Sequence, residues 1–198
     1  MAEDLKPPAS SRIFAISGPT GAGKTTLARA LLDLVPNLTL VSEPTMDSLE
    51  HLWQAGLWHD MQQAIVRHRA AALSRASSPI IVMDRSFSED RIVFFQLHRA
   101  LGHLSTREYE DLLYETSAIE NSLPSPSQVV FLRPTEGALL ARMNNQGQPD
   151  WLMTSIDHQL RLYDRWLQAQ TAPVLIVDTQ RQQADGLAVS VWKWIVSA

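Results

Sequence analysis

Residues 18–25 read Gly-Pro-Thr-Gly-Ala-Gly-Lys-Thr, and no other stretch constrains the fold of this chain as tightly. They meet the spacing G-x-x-x-x-G-K-[ST] without a mismatch. The apolar run Ile13–Ile16 lies just ahead and reads as a buried strand; Thr26–Leu32 follows as the start of an amphipathic helix. In that context Gly18, Gly21, Ala22 and Gly23 turn successive backbone N–H groups into one concavity, and the helix N-terminus adds partial positive charge. Lys24 is then in reach of the β- and γ-phosphates of a nucleoside triphosphate, and the Thr25 hydroxyl in reach of Mg²⁺. The competing reading, a glycine-rich turn with an accidental lysine, does not account for the strand before it or the helix after it.

Four further apolar runs, Leu38–Ser42, Pro79–Met83, Gln128–Leu132 and Val174–Val177, are short and lack alternation, as strands covered on both faces do. Helical patterns fill the gaps at 24–35, 47–76, 88–101, 105–120, 135–145, 152–169 and 183–196. The alternation predicts an α/β fold with a parallel sheet of about five strands flanked by helices. The length of 198 residues suits one domain, expected over 12–198 after a disordered tail over 1–11 that carries Glu3, Asp4, Pro7 and Pro8. A net charge of −4 weighs against a nucleic-acid polymer as partner. With no cysteine there are no disulfides, thiolate chemistry or Cys-based zinc site, which fits a cytoplasmic setting. No segment has the length of a membrane span, so no membrane partner is expected.

Ligands of such sheets sit at the carboxyl ends of the strands, which makes the residues just past each strand informative. Glu43 and Pro44 follow the second strand, Asp84, Arg85 and Ser86 the third, and Arg133 and Pro134 the fourth. Phosphoryl transfer needs a metal, positive charge on the transferring group and an oriented nucleophile. Asp84 is the candidate second ligand for Mg²⁺, Arg85 the candidate for developing charge, and Glu43 the candidate acceptor of a hydroxyl proton. The plainer alternatives are a helix cap for Glu43 and a structural salt bridge for Asp84 and Arg85.

In these features the chain resembles the deoxynucleoside kinase family, whose members phosphorylate the 5′-hydroxyl of deoxynucleosides. The resemblance runs in order through Gly18–Thr26, Ser42-Glu43-Pro44, Gln62 with Arg69 seven residues on, and Asp84-Arg85-Ser86-Phe87-Ser88-Glu89-Asp90. It continues through Leu101–Ser105 and Val129–Arg142. It implies a three-layer P-loop kinase fold and a reaction of Mg²⁺·ATP with a nucleoside or other small-molecule acceptor. Thr26 and Arg142 would join the loop in holding the nucleotide. Glu43 would be the base, Arg85 would lie between it and the phosphates, and Gln62 and Asp90 would bind the edge of the nucleobase with Arg69 orienting them. Gln62 and Arg69 also read as a polar helix face, and Gln63 leaves the register open by one residue.

The chain departs from the family at two places. The family's lid pattern R-x-x-x-R-G-R stands here as Arg142-Met143-Asn144-Asn145-Gln146-Gly147-Gln148, so two guanidiniums that would grip phosphate are amides. Compensation by Arg133 or Arg85, an unusual donor or acceptor, and slow turnover are the competing explanations. No tyrosine lies between Glu43 and Gln62 to meet a sugar hydroxyl; His51, Trp53, Trp58 and His59 stand there, and Asp150 is the candidate lid carboxylate. Two rival functions share the loop: a nucleoside monophosphate kinase similar to thymidylate kinases, using Arg69 and Arg91 on the acceptor phosphate, and a nucleotide-binding regulator. A GTPase is disfavoured because no N-K-x-D motif appears. At least one of Trp53 and Trp58, and Trp166, Trp192 and Trp194, read as packing residues. Ile92, Phe95, Leu101, Leu112 and Ile119 fit a homodimer face and an internal core equally well.

Overall fold

A computed structural model describes Pro7 and residues 11–180 and 184–197. Apart from Pro7 and Ser11, the tail expected over 1–11 lies outside the described residues. Five strands form one parallel sheet in the order β2-β3-β1-β4-β5: β1 (Arg12–Ser17), β2 (Leu38–Val41), β3 (Ile80–Asp84), β4 (Gln128–Leu132) and β5 (Val174–Val177).

The central strand β1 explains why alternation was missing from the sequence. Phe14 and Ile16 point to one face, where α1 (Lys24–Leu34), α7 (Glu136–Asn145) and α10 (Ala184–Ser197) cover them with Leu27, Leu31, Leu139 and Val191. Ile13 and Ala15 point to the other, beneath α3 (Trp58–Arg75) and α6 (Thr106–Ser122) with Val66, Leu73 and Leu112. On that second face Val129 and Phe131 of β4 pack against α9 (Ile156–Gln168) through Leu162, Tyr163 and Trp166. Helices on both faces make three layers, so both sides of each inner strand must be apolar.

Two expected helices are each two. The pattern over 47–76 breaks into α2 (Met46–Gln54) and α3 because Gly56, at φ 71°, closes a Schellman turn. The N–H of Leu57 reaches the carbonyl of Leu52 at 2.9 Å, and that of Gly56 reaches Trp53 at 3.1 Å. The pattern over 152–169 divides at Ser155 into α8 (Asp150–Thr154) and α9. Between β3 and α6 the chain runs through α4 (Phe87–Glu89), a π-helical turn (Asp90–Phe94) and α5 (Phe95–Ala100).

Phe95 and Leu112, two of the residues that fitted a dimer face, lie inside this chain's own core. Trp166 is fully buried, and Trp192 and Trp194 of α10 are partly buried against the core. Among the described residues no helix is long and apolar enough to cross a membrane.

Candidate active site

The loop after β1 begins with a residue that has no room for a side chain. Gly18 sits at φ 141°, and a Cβ there would stand 2.6 Å from the carbonyl oxygen of Leu132. Lys24, at the start of α1, folds back so that Nζ donates to the carbonyls of Gly18 at 3.0 Å and Pro19 at 3.1 Å. Burial and the neighbouring Arg85 guanidinium lower its pKa to about 8, the signature of an ammonium held ready for an anion. Gln159 of α9 accepts the N–H of Thr20 at 3.1 Å. From this loop a cavity of about 800 Å³ runs past Glu43 to Gln62, Phe94 and Trp151.

At the middle of the cavity two strand-end groups, Glu43 and Arg85, meet Arg69 of α3 and Asp90 of the π-helical turn. Glu43, just past β2, bonds Arg69 Nη2 through Oε1 at 2.7 Å and Arg85 Nη1 through Oε2. Arg69, fully buried on α3, bonds Asp90 with its other nitrogen, Nη1. Burial pushes Glu43 up, but Arg85 and Arg69 outweigh it and hold the carboxyl below its ordinary value. Burial also dominates at Asp90, raising it to about 7 against the pull of Arg69. Arg85 adopts φ 67°, a left-handed conformation costly for any residue with a Cβ. Its guanidinium lies 4.4 Å from the ring centre of Phe94, and its Nε is 3.2 Å from Glu89 Oε1.

Asp84 closes β3 and is almost wholly buried, and its Oδ1 has no hydrogen-bond partner among the described residues. Burial raises its pKa, and Lys24 opposes that. A buried carboxylate oxygen without a partner, on the same cavity wall as the exposed Thr25, is the donor set that a hard, oxygen-seeking cation fits. Thr26 lines the wall beside it.

Gln62 and Gln63 separate cleanly. Gln62 is buried and lines the cavity, whereas Gln63 turns to α6 and donates to Glu115 Oε2 at 2.7 Å. Arg142 lines the cavity as well, with Nη1 donating to Gly21 and Ala22 carbonyls at 3.3 and 3.4 Å and to Thr179 Oγ1 at 3.2 Å. Gln146 and Gln148 face the same space. Arg133 does not: it is exposed at the surface and pairs with Asp164 at 2.7 Å. Asp150 is exposed at the start of α8, and His51, Trp53, Trp58 and His59 are not among the cavity's lining residues. Of the two proposed substitutes for the lid arginines, Arg85 lines the cavity and Arg133 does not.

Several lining or supporting residues were not singled out from the sequence. Phe94 lies four positions after Asp90, a helical spacing that could have flagged it. Glu89 ends a Ser-x-x-Glu stretch that resembles a surface capping box, yet its carboxylate faces inward. Tyr163, Gln159, His98 and Trp151 carry no local signal.

His98 and Trp151 belong to a four-ring cluster at the far end of the cavity. Trp58 stacks on His103 at 4.0 Å between centres, and Trp151 of α8 meets both rings edge-on. The Nδ1 atoms of His98 and His103 are 3.1 Å apart, so one donates and the other accepts, and burial lowers the pKa of both rings. Burial, with His103 alongside, lowers the pKa of His98 to about 3. A histidine kept neutral in the fold contributes stability that is complete above its unfolded value and lost as the pH falls toward 3. Between pH 7.5 and 5.5 this amounts to about 1.4 kcal/mol. Urea unfolding of the wild type and of His98→Gln at both pH values should show that extra loss in the wild type alone. Equal pH slopes would show that His98 is not the group responsible.

The sequence model described as Deoxynucleoside kinase matches residues 14–190. No curated protein matches the chain.

Proposed function

The chain belongs to the deoxynucleoside kinase family, and on that premise we propose that it moves the γ-phosphate of ATP to the 5′-hydroxyl of a nucleoside, with Glu43 as base. The observation that carries this reading is the position of Glu43. It is a carboxylate held ionised between two guanidiniums, in one cavity with the phosphate loop.

The transfer then proceeds as follows. Lys24 leaves the Gly18 and Pro19 carbonyls for the β- and γ-phosphates, and the loop N–H groups bind the remaining oxygens. Thr25 and Asp84 would hold Mg²⁺, which when bound neutralises charge across the phosphates. Gln62 offers an amide donor and acceptor side by side to the edge of the base, and Phe94 offers a ring face. Glu43 takes the 5′-hydroxyl proton as that oxygen bonds to the γ-phosphorus. The bond from the γ-phosphorus to the bridging oxygen breaks, and ADP leaves. Arg85 turns from Glu43 to the transferring group, which supplies charge where it develops and frees Glu43 to accept the proton.

The monophosphate kinase alternative is less well supported, because it needs a cation free for the acceptor's own phosphate. Arg69 spends its two terminal nitrogens on Glu43 and Asp90, and Arg91 pairs with Glu120 at 2.6 Å.

Labelled ATP with Mg²⁺ is offered to a panel of deoxynucleosides, ribonucleosides and their monophosphates, with Lys24→Ala as control. A labelled 5′-monophosphate formed from a nucleoside and absent in the control is the expected result. Transfer to monophosphates alone would replace this reading with the alternative. ATP binding without transfer to any acceptor would favour a regulator.

A further inference from the structure

Arg85 has two carboxylate partners, and only one of them has a role in the transfer as written. Glu43 meets Nη1 at the reacting end of the side chain, while Glu89, one turn on, meets Nε near its root. Glu89 is completely buried, and its Oε1 also takes the hydroxyl of Tyr163. The same hydroxyl lies 2.7 Å from the carbonyl of Gly18, the first residue of the phosphate loop. That carbonyl in turn accepts from Lys24 Nζ at 3.0 Å. The contacts therefore form a chain: Lys24, Gly18, Tyr163, Glu89, Arg85, Glu43.

The chain has one donor too few. A phenol carries a single proton, and both of its neighbours here, a carbonyl and a carboxylate, are acceptors. Without nucleotide, the Gly18 carbonyl is served by Lys24 and the Tyr163 proton can lean toward Glu89. When Lys24 leaves for a phosphate, the Gly18 carbonyl loses that donor and draws the Tyr163 proton to itself. Glu89 then turns to Arg85, whose Nε is 3.2 Å from the shared oxygen as an ion pair and whose N–H has no hydrogen-bond partner among the described residues, with the Ser17 hydroxyl alongside.

Resting on the kinase reading above, we propose that Glu89 and Tyr163 are positioning residues that report nucleotide occupancy to Arg85. Glu89 is the pivot that holds the Nε end while the Nη end turns from Glu43 to the phosphate, and Tyr163 ties that pivot to the phosphate loop. The left-handed backbone at Arg85 and the Phe94 ring against its face restrict the guanidinium to turning about this anchored end.

The test uses Tyr163→Phe and Glu89→Gln, with the Arg85 Nε–H followed by nitrogen-15 NMR and assigned through Arg85→Lys. In the wild type, a non-hydrolysable ATP analogue with Mg²⁺ should shift that signal downfield before any nucleoside is added. In Tyr163→Phe the analogue should still bind while the shift disappears. kcat should fall about 10- to 100-fold in both variants, with KM for the nucleoside within about twofold of wild type. A merely structural Tyr163 would lower the melting temperature and leave both the shift and kcat in place, which would overturn the proposal. An Arg85 signal that responds to the analogue equally in wild type and Tyr163→Phe would overturn it too. Because the NMR arm involves no turnover, a wild type that transfers no phosphate would sink the kinase reading independently of the relay.

Discussion

Glu43→Gln is expected to lower kcat by about 10²- to 10⁴-fold while ATP still binds. Glutamine keeps the size of the side chain and its carbonyl acceptor, but it cannot take a proton. The expected loss is in the chemical step because the side-chain hydrogen bonds of Glu43 among the described residues go to Arg69 and Arg85 and not to the loop that would grip the nucleotide. Its environment adds a second feature. Burial raises the carboxyl, but Arg85 and Arg69 more than offset this, so Glu43 is ionised throughout the neutral range. The acid limb of the wild-type pH–rate profile should therefore lie below the ordinary carboxylate range and be absent in the variant. A carboxylate held this low is a weak base until one guanidinium leaves. The departure of Arg85 toward the phosphate makes Glu43 more basic at the moment the hydroxyl proton must move. Single-turnover transfer and nucleotide titration of both proteins separate the two effects. Full activity in Glu43→Gln would remove Glu43 from the role of base.

The parts of this site that could be read from the sequence are those fixed by the sheet. A buried parallel strand is an apolar run with an abrupt end, so Glu43, Asp84 and Arg85 announce themselves as the first polar residues past such runs. The phosphate loop is local in sequence and therefore equally plain. What could not be read depends on which way a helix face turns. Arg69 looks by its own stretch like one more cation on a polar helix face; the family resemblance set it with Asp90, and the packing of α3 over β1 and β3 makes it a buried link between two carboxylates. Glu89 imitates a surface cap while pointing into the core. Arg133 fails in the opposite sense. It follows β4 as expected, but its backbone N–H is still paired with Val177 at 2.8 Å, and its side chain is at the surface with Asp164. The absence of the lid arginines was legible as Gln146 and Gln148; that Arg85 and not Arg133 lines the cavity with them was decided by the fold.

Arg69→Met is expected to destabilise the chain by about 3–5 kcal/mol, the usual consequence of removing one partner from a buried charge cluster. Arg69 is wholly enclosed and answers to both Glu43 and Asp90, but the two carboxylates are not equally exposed to its loss. Glu43 keeps Arg85 and has an edge on the cavity. Asp90 lines the same cavity but is almost wholly enclosed and bonds no second guanidinium among the described residues, and burial has already raised its pKa to about 7 with Arg69 present. Without Arg69 that value rises further, so the folded variant must carry a proton on Asp90 that the unfolded chain releases above about 3.9. A carboxyl raised in the fold costs stability as the pH rises from the unfolded value to the folded one. The loss caused by Arg69→Met should thus be larger at pH 8 than at pH 5.5, the reverse of the trend expected from His98. Adding Asp90→Asn removes the orphaned charge, so the double variant should recover stability at pH 8 and little at pH 5.5. Urea midpoints for the four proteins of this cycle measure the coupling directly. If the double variant were no more stable than Arg69→Met at either pH, the cost would come from lost packing of the long side chain, and the buried ion pair would not be what holds α3 to the π-helical turn.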